Sequence, residues 1–78
     1  MKELVRYLAR SLVSNPVAVE INETMNDGTS VLELKVAKED LGRIIGKQGR
    51  TAKSIRILLN AAALISNRRV VLEIIEEK

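Results

Sequence analysis

The sequence LGRIIGKQGRTAKSI at residues 41–55 decides how the rest of the chain must fold. Its centre is Gly46-Lys47-Gln48-Gly49, where two glycines enclose two polar residues. Three of the chain's four glycines lie within the eight positions from Gly42 to Gly49. Aliphatic residues precede this centre and a basic helical pattern follows it. The stretch therefore predicts a tight turn between two helices.

Helical spacing of apolar residues predicts three helices around this turn. They cover residues 2–13, residues 38–45, and a stretch from near residue 50 to about residue 66. The expected core stripe of the third helix consists of Ala52, Ile55, Leu59 and Ala62. Apolar residues also occur outside that stripe, and a helix that is apolar nearly all round is usually buried on more than one side. Either neighbouring elements or a protein partner could cover the second side.

Alternating apolar and polar residues predict three strands, over residues 17–24, 30–36 and 70–76. The turn residues 25–28 predict an antiparallel hairpin between the first two strands. Two helices connect the second strand to the third, which permits a parallel pairing. We therefore expect one α+β domain over residues 1–78, in the order α-β-β-α-α-β, with a three-stranded mixed sheet and helices packed on one face.

The composition excludes several kinds of site. The chain has no cysteine, so a disulfide or a thiolate metal site is impossible, and it has no histidine, the commonest general base. Tyr7 is the one aromatic residue, which argues against a platform that stacks several bases. No apolar run approaches the roughly 20 residues of a membrane span. We expect a soluble cytoplasmic protein that is not an enzyme and holds no metal or cofactor.

The positive charge is concentrated around the glycine turn. The net charge is +3, but the segment from Leu41 to Leu72 contains seven basic residues and no acidic one, which leaves −4 elsewhere. Such segregation indicates a face that binds a polyanion. An ordinary solvated helix face is the other reading of these cations.

Two other uses of a glycine turn fit less well. A phosphate-binding P-loop needs four residues between its glycines and a Ser or Thr after its lysine, whereas three residues separate Gly42 from Gly46 and Gln48 follows Lys47. A helix-turn-helix module that reads duplex DNA needs a polar recognition helix. The helix predicted here is largely apolar after Arg56.

A third reading carries a family resemblance. Residues 45–49, IGKQG, resemble the KH signature, an aliphatic residue followed by a GXXG loop between two helices, and the predicted element order is that of the type II KH fold. With further matches at residues 12–16 and 39–56, the chain resembles the small bacterial single-KH proteins of the KhpA (YlqC) family. The resemblance implies an RNA chaperone or regulator that binds single-stranded RNA, forms homodimers and pairs with a KhpB (Jag/EloR) type protein. It also implies links to cell length, cell division and peptidoglycan homeostasis.

The candidate sites follow from this reading. The residues that we expect to contact RNA are the glycines and their polar, basic or aliphatic neighbours: Gly42, Arg43, Ile44, Ile45, Gly46, Lys47, Gln48, Gly49, Arg50 and Lys53. One of the two isoleucines should belong to the core and the other to the floor of the groove, and the sequence leaves open which. The candidate partner interface is the extra apolar surface of the third helix: Ile57, Leu58, Ala61, Leu64 and Ile65. The contrasting function is an adaptor subunit that acts by protein contact alone.

Overall fold

The structure, a computed structural model, describes residues 1–75 and contains the elements in the predicted order. The helices and strands are α1 (Lys2–Leu12), β1 (Glu20–Asn26), β2 (Thr29–Lys35), α2 (Leu41–Ile45), α3 (Arg50–Ile65) and β3 (Arg69–Ile74). Short 3₁₀ turns precede β1, α2 and α3, at Pro16–Ala18, Lys38–Asp40 and Lys47–Gly49. None of the described helices is long and apolar enough to cross a membrane.

The three strands form one mixed sheet in the order β1-β2-β3. β1 and β2 pair antiparallel, with Glu20 opposite Lys35, and β2 and β3 pair parallel, with Thr29 opposite Arg69. The predicted hairpin and the parallel crossover are therefore both confirmed. β3 lies at an edge of the sheet, so one side of its backbone is open.

The helices cover one face of this sheet. On this face, alternate residues of β2 and β3 are buried, among them Leu32, Leu34 and Leu72. They pack in one core with Val5 from α1 and Leu59 from α3. Burying a leucine fully stabilises the fold by about 1.5–3 kcal/mol. This shared core fixes the two longer helices over the sheet and thereby positions the turn between α2 and α3.

The first strand begins later than the sequence predicts. Val17 is 89% exposed and lies in the 3₁₀ turn that starts at Pro16, so β1 begins only at Glu20. The proline ring sets the φ angle that such a turn needs, and the N–H of Val19 donates to the carbonyl of Pro16 at 3.2 Å. The alternation of apolar residues at 17–21 therefore predicted too early a start for β1, because the first of these residues lies in the turn and not in the strand.

The core stripe of α3 ends one residue later than predicted. Its buried residues are Ala52, Ile55, Leu59 and Ala63, whereas Ala62 is only half-buried. A spacing of four residues from Leu59 keeps the side chain closer to the sheet than a spacing of three, given 3.6 residues per turn. The predicted end of the third strand at Glu76 lies outside the described residues.

Candidate nucleic-acid interface

The glycine turn is built by two backbone hydrogen bonds and two positive φ angles. The N–H of Gly46 donates to the carbonyl of Gly42 at 2.8 Å and ends α2, with Gly46 at φ 79° and ψ 173°. The N–H of Gly49 then donates to the carbonyl of Gly46 at 3.1 Å, with Gly49 at φ 75°. Residues with a Cβ rarely adopt these angles, so glycine is favoured at both positions.

The three glycines of this stretch have different surroundings. A Cβ added at Gly46 would lie 2.2 Å from the Oγ1 of Thr51 and 2.8 Å from its backbone nitrogen. A Cβ at Gly49 or Gly42 would meet no atom within 4 Å. Gly46 is thus required by packing as well as by φ. Gly42 lies exposed in the first turn of α2 with open space beside it, and neither packing nor φ requires a glycine there.

The tip of the turn consists of Lys47 and Gln48, and both side chains are exposed. Gln48 has φ 58° and ψ 26°, the left-handed region that side-chain-bearing residues adopt infrequently. The backbone therefore turns sharply at a residue that contributes nothing to the core. Such local strain is typical of loops that contact a ligand.

Uncompensated positive charge surrounds the start of α3. No side chain caps the first turn of this helix, whose free N–H groups favour an anion. Arg50 and Lys53 are exposed on its first two turns. Neither these cations nor Lys47 has an ion-pair partner among residues 1–75. The turn and the helix start therefore form one cationic surface.

The structure distinguishes the two isoleucines before the turn. Ile44 is fully buried and belongs to the hydrophobic core, while Ile45 is only partly buried. Ile44 therefore supports the turn from within and has no surface for a ligand to contact. Ile45 remains as the apolar side chain that can form the floor beside the loop. Ala52, at the start of α3, is also buried and contributes to the wall behind it.

Asp40, to which the sequence analysis assigned no role, anchors α2 to the loop after α1. Its side chain is fully buried and accepts three hydrogen bonds, from the N–H of Ser14 at 3.0 Å, the hydroxyl of Ser14 at 2.7 Å and the N–H of Asn15 at 3.0 Å. These donors, above all the Ser14 N–H, hold the pKa of Asp40 below its ordinary value, and Arg43 contributes last. The Nε of Arg43 lies 4.0 Å from Oδ1 of Asp40, and its side chain is 61% exposed.

A groove between α3 and the edge strand β3 extends this surface. It encloses about 150 Å³ and is lined by Arg56, Leu59 and Asn60 of α3 and by residues 70–72 of β3. Arg56 lies three residues after Lys53, and Asn60 lies four residues after Arg56. The three side chains therefore form a polar flank along one side of the helix. Arg56 and Asn60 are not among the RNA contacts that we predicted from the sequence. Their helical spacing after Lys53 could have identified them as part of the same polar side of the helix.

The comparisons with known proteins agree with this geometry. The sequence profile described as "KhpA/KhpB, KH domain" matches residues 2–74. The chain belongs to the KhpA/KhpB KH-domain family. Its fold is the type II KH fold that the sequence predicts, with the Gly46–Gly49 turn as the GXXG loop between the second and third helices.

Several family relatives match along their whole length. The chain is 53% identical to "RNA-binding protein KhpA" of Clostridium perfringens over 75 residues, which cover 96% of this chain and 100% of the relative. It is 55% identical to the protein of that name from Caldanaerobacter subterraneus over the same shares of both chains. The protein of that name from Chlamydia pneumoniae is 51% identical over 78 residues, all of both chains.

Solved structures of Era contain a similar domain. One, in complex with MgGDPNP and nucleotides 1506–1542 of 16S ribosomal RNA, matches with a TM-score of 0.61 and 29% identity. Another, Aquifex aeolicus Era bound to GDP and AlF₄⁻, matches with a TM-score of 0.57 and 32% identity. Each match covers 94% of this chain but only 28% of the Era chain. The similarity therefore concerns one part of Era.

A second surface of this KH domain is apolar and lies on the outer side of α3. Ile57, Leu64 and Ile65 are 58%, 80% and 88% exposed, and Leu58 is 53% exposed. With Ala61 they occupy positions i, i+1, i+4, i+7 and i+8, which form one stripe on a helix. We call these five residues the outer stripe. Within residues 1–75 no neighbouring element covers this side of the helix, so the reading in which the chain itself buries it is wrong.

Proposed function

We propose that this chain binds single-stranded RNA, without catalysis, through the Gly46–Gly49 loop and the groove beside it. The observation that carries the proposal is the joining of the two-glycine turn to an uncapped helix start. Around both lie Lys47, Arg50 and Lys53, which have no ion-pair partner in the described part of the chain, residues 1–75. A KH loop clamps about four backbone nucleotides. The naming of the relatives as RNA-binding proteins supports the same ligand.

The loop suits a sugar-phosphate backbone. Gly49 has no side chain, and nothing lies within 4 Å of where its Cβ would be, so a phosphate can approach the free N–H groups of α3. Lys47 and Arg50 supply charge on either side of that approach. The open space at Gly42 leaves room for a nucleotide beside α2. Arg43 can turn its exposed guanidinium towards the backbone of the same RNA. These contacts would read no sequence.

The groove suits the bases. Ile45 and the aliphatic stems of the α3 flank offer apolar surface on which bases can lie. The N–H of Ile75 donates to the carbonyl of Leu34 at 2.9 Å, so alternate residues of β3, including Val70 and Leu72, direct their backbone polar groups to the open edge. Those groups can bond to base edges. With no aromatic side chain in the groove, sequence preference should be weak.

The test is RNA binding by a chain that carries Lys47→Asp and Gln48→Asp together. Two negative charges at the loop tip should repel the backbone, and we expect at least a tenfold weaker affinity for mixed-sequence single-stranded RNA. Aspartate tolerates the left-handed angles of position 48, so the fold should persist, which circular dichroism would check. A matched control carries Lys2→Asp and Asn22→Asp, the same change in charge away from the loop. Equal affinity of the two variants would refute the site.

Salt dependence gives an independent measure of the backbone contacts. About three phosphate contacts predict a slope near −2 in a plot of log affinity against log salt, because each contributes about −0.7 for a single strand. The loop variant should show a shallower slope than its matched control.

We also propose that the outer stripe forms a homodimer and, as the family resemblance implies, contacts a KhpB-type partner. So large an exposed apolar surface on a small domain is typical of a protein interface. Together, this chain and its KhpB-type partner would act on cytoplasmic RNA as a chaperone or regulator. In that role they would influence cell length and peptidoglycan homeostasis. Cell-length measurements on a strain lacking this chain would test that role. The stripe is also the observation that favours the adaptor function, which predicts partner binding with no affinity for RNA.

A further inference from the structure

Two adjacent arginines lie at the opposite end of α3 from the glycine turn. Arg68 and Arg69 are both exposed, at the connection from α3 to β3. Neither guanidinium has an ion-pair partner within the part of the chain that the structure describes. Arg69 pairs across the sheet with Thr29, next to the hairpin turn. Two exposed guanidiniums without a carboxylate partner among residues 1–75 give this end of the domain a positive potential that attracts an anionic ligand.

Adjoining depressions link these arginines with the α3–β3 groove. The groove shares Asn60, Val70 and Val71 with a second concavity, which Arg68, Arg69 and Leu64 at the border of the outer stripe also line. A third concavity contains the same arginines and reaches the hairpin residues Met25 and Gly28. The three depressions therefore lead from Arg56, near the middle of α3, to the turn between β1 and β2.

We propose that Arg68 and Arg69 form a second phosphate-binding site, for single-stranded RNA that leaves the α3–β3 groove. This inference rests on the proposed RNA binding and extends it, because the loop by itself holds only about four nucleotides. α3 has 16 residues, so its two ends are about 24 Å apart at 1.5 Å per residue. A strand held at both ends must therefore be longer than the loop alone can clamp.

The chemistry of this end suits a phosphodiester. A guanidinium can present two parallel N–H donors to phosphate oxygens, which makes arginine a specific phosphate ligand. Thr29 lines the second concavity together with Arg68 and Arg69, and its hydroxyl can donate a further hydrogen bond. Glu23 also lines the depression near the hairpin, at more than ion-pair distance from both arginines. That carboxylate should repel the RNA backbone and so direct the RNA along the side nearer to β3.

The experiment compares short and long RNA on matched variants. The test variant carries Arg68→Ser and Arg69→Ser, and the control carries Lys2→Ser and Arg10→Ser, which remove the same charge on α1. Each is titrated with a mixed-sequence oligonucleotide of about four nucleotides and with one of about eight, twice the length that the loop clamps. The loop variant with Lys47→Asp and Gln48→Asp is measured alongside.

The expected result separates the two proposals. Wild type and control should bind the longer RNA at least tenfold more tightly than the shorter, and the arginine variant should lose most of that gain while binding the shorter RNA normally. Its salt slope on the longer RNA should fall by about 1.4, for two lost phosphate contacts. An arginine variant that binds the longer RNA as the control does would overturn this inference alone. Unchanged binding by the loop variant would instead overturn the proposed function.

Discussion

Replacing Gly46 by alanine should cost far more stability than replacing Gly49. At φ 79° and ψ 173°, Gly46 occupies a region that is essentially reserved for glycine, and forcing another residue into it costs about 1–3 kcal/mol. Its Cβ would also lie 2.2 Å from Oγ1, 2.6 Å from Cβ and 2.8 Å from the backbone nitrogen of Thr51. Rotating the threonine would relieve only the first contact. Such overpacking costs about 1–3 kcal/mol, so we expect a total of about 2–6 kcal/mol.

Gly49→Ala is the matched control for this experiment. Gly49 lies in the left-handed helical region, with φ 75° and ψ 11°, and its Cβ would meet nothing within 4 Å. Only the conformational cost of about 1–2 kcal/mol remains. A domain of 78 residues has a free energy of unfolding of about 4–12 kcal/mol. Urea unfolding followed by circular dichroism can therefore resolve the two variants. If Gly46→Ala were no less stable than Gly49→Ala, the packing argument for the turn would be wrong.

Two further predictions concern the outer stripe and the buried carboxylate. Leu64→Asp should convert a dimer to a monomer in sedimentation velocity and should abolish association with a KhpB-type protein, because a charge would replace an 80% exposed apolar side chain; an unchanged oligomer would place the interface elsewhere. The lowered pKa of Asp40 means that its contribution to stability is complete above its unfolded pKa of about 4 and is lost as pH falls through the folded value. Asp40→Asn should therefore be less stable than wild type at pH 7, with a difference that shrinks in urea unfolding at pH 3; parallel curves at both pH values would contradict this.

Most of the fold could be predicted because the apolar periodicity and the turn residues of this sequence indicate the same elements. Strict alternation in β2 and the Asp27-Gly28 turn fix the hairpin, and both of those residues adopt positive φ angles. The two errors occurred where one rule competed with another. At Val17 the φ angle imposed by Pro16 outweighed alternation, and at the end of α3 Ala62 and Ala63 have the same apolar character. Only the position of the helix over the sheet distinguishes those two alanines.

The site was predicted less completely than the fold, because its parts come from distant segments. The loop could be recognised from consecutive residues, since two glycines enclose Lys47 and Gln48. Asp40 could not be assigned in the same way, because its partners at Ser14 and Asn15 lie more than 20 positions away. An acidic residue beside a polar loop usually suggests solvent exposure. The α3–β3 groove was missed for a similar reason, since it exists only once β3 lies beside α3.

α3 has three sides, and each has a different physical character. Its inner side packs on the sheet, its polar flank borders the groove at Arg56 and Asn60, and its outer stripe is apolar. Ala61, at the centre of the stripe, points about 100° away from Asn60, because successive residues of a helix differ by that angle. Two copies joined about Ala61 would therefore leave the Arg56 side of both grooves open to solvent, whereas Leu64 of the stripe borders the depression that continues from the groove. Each clamp alone holds few nucleotides, and joining two raises the effective concentration of the second for the same RNA. A dimer through the outer stripe, as proposed above, would therefore bind RNA more tightly than either copy alone.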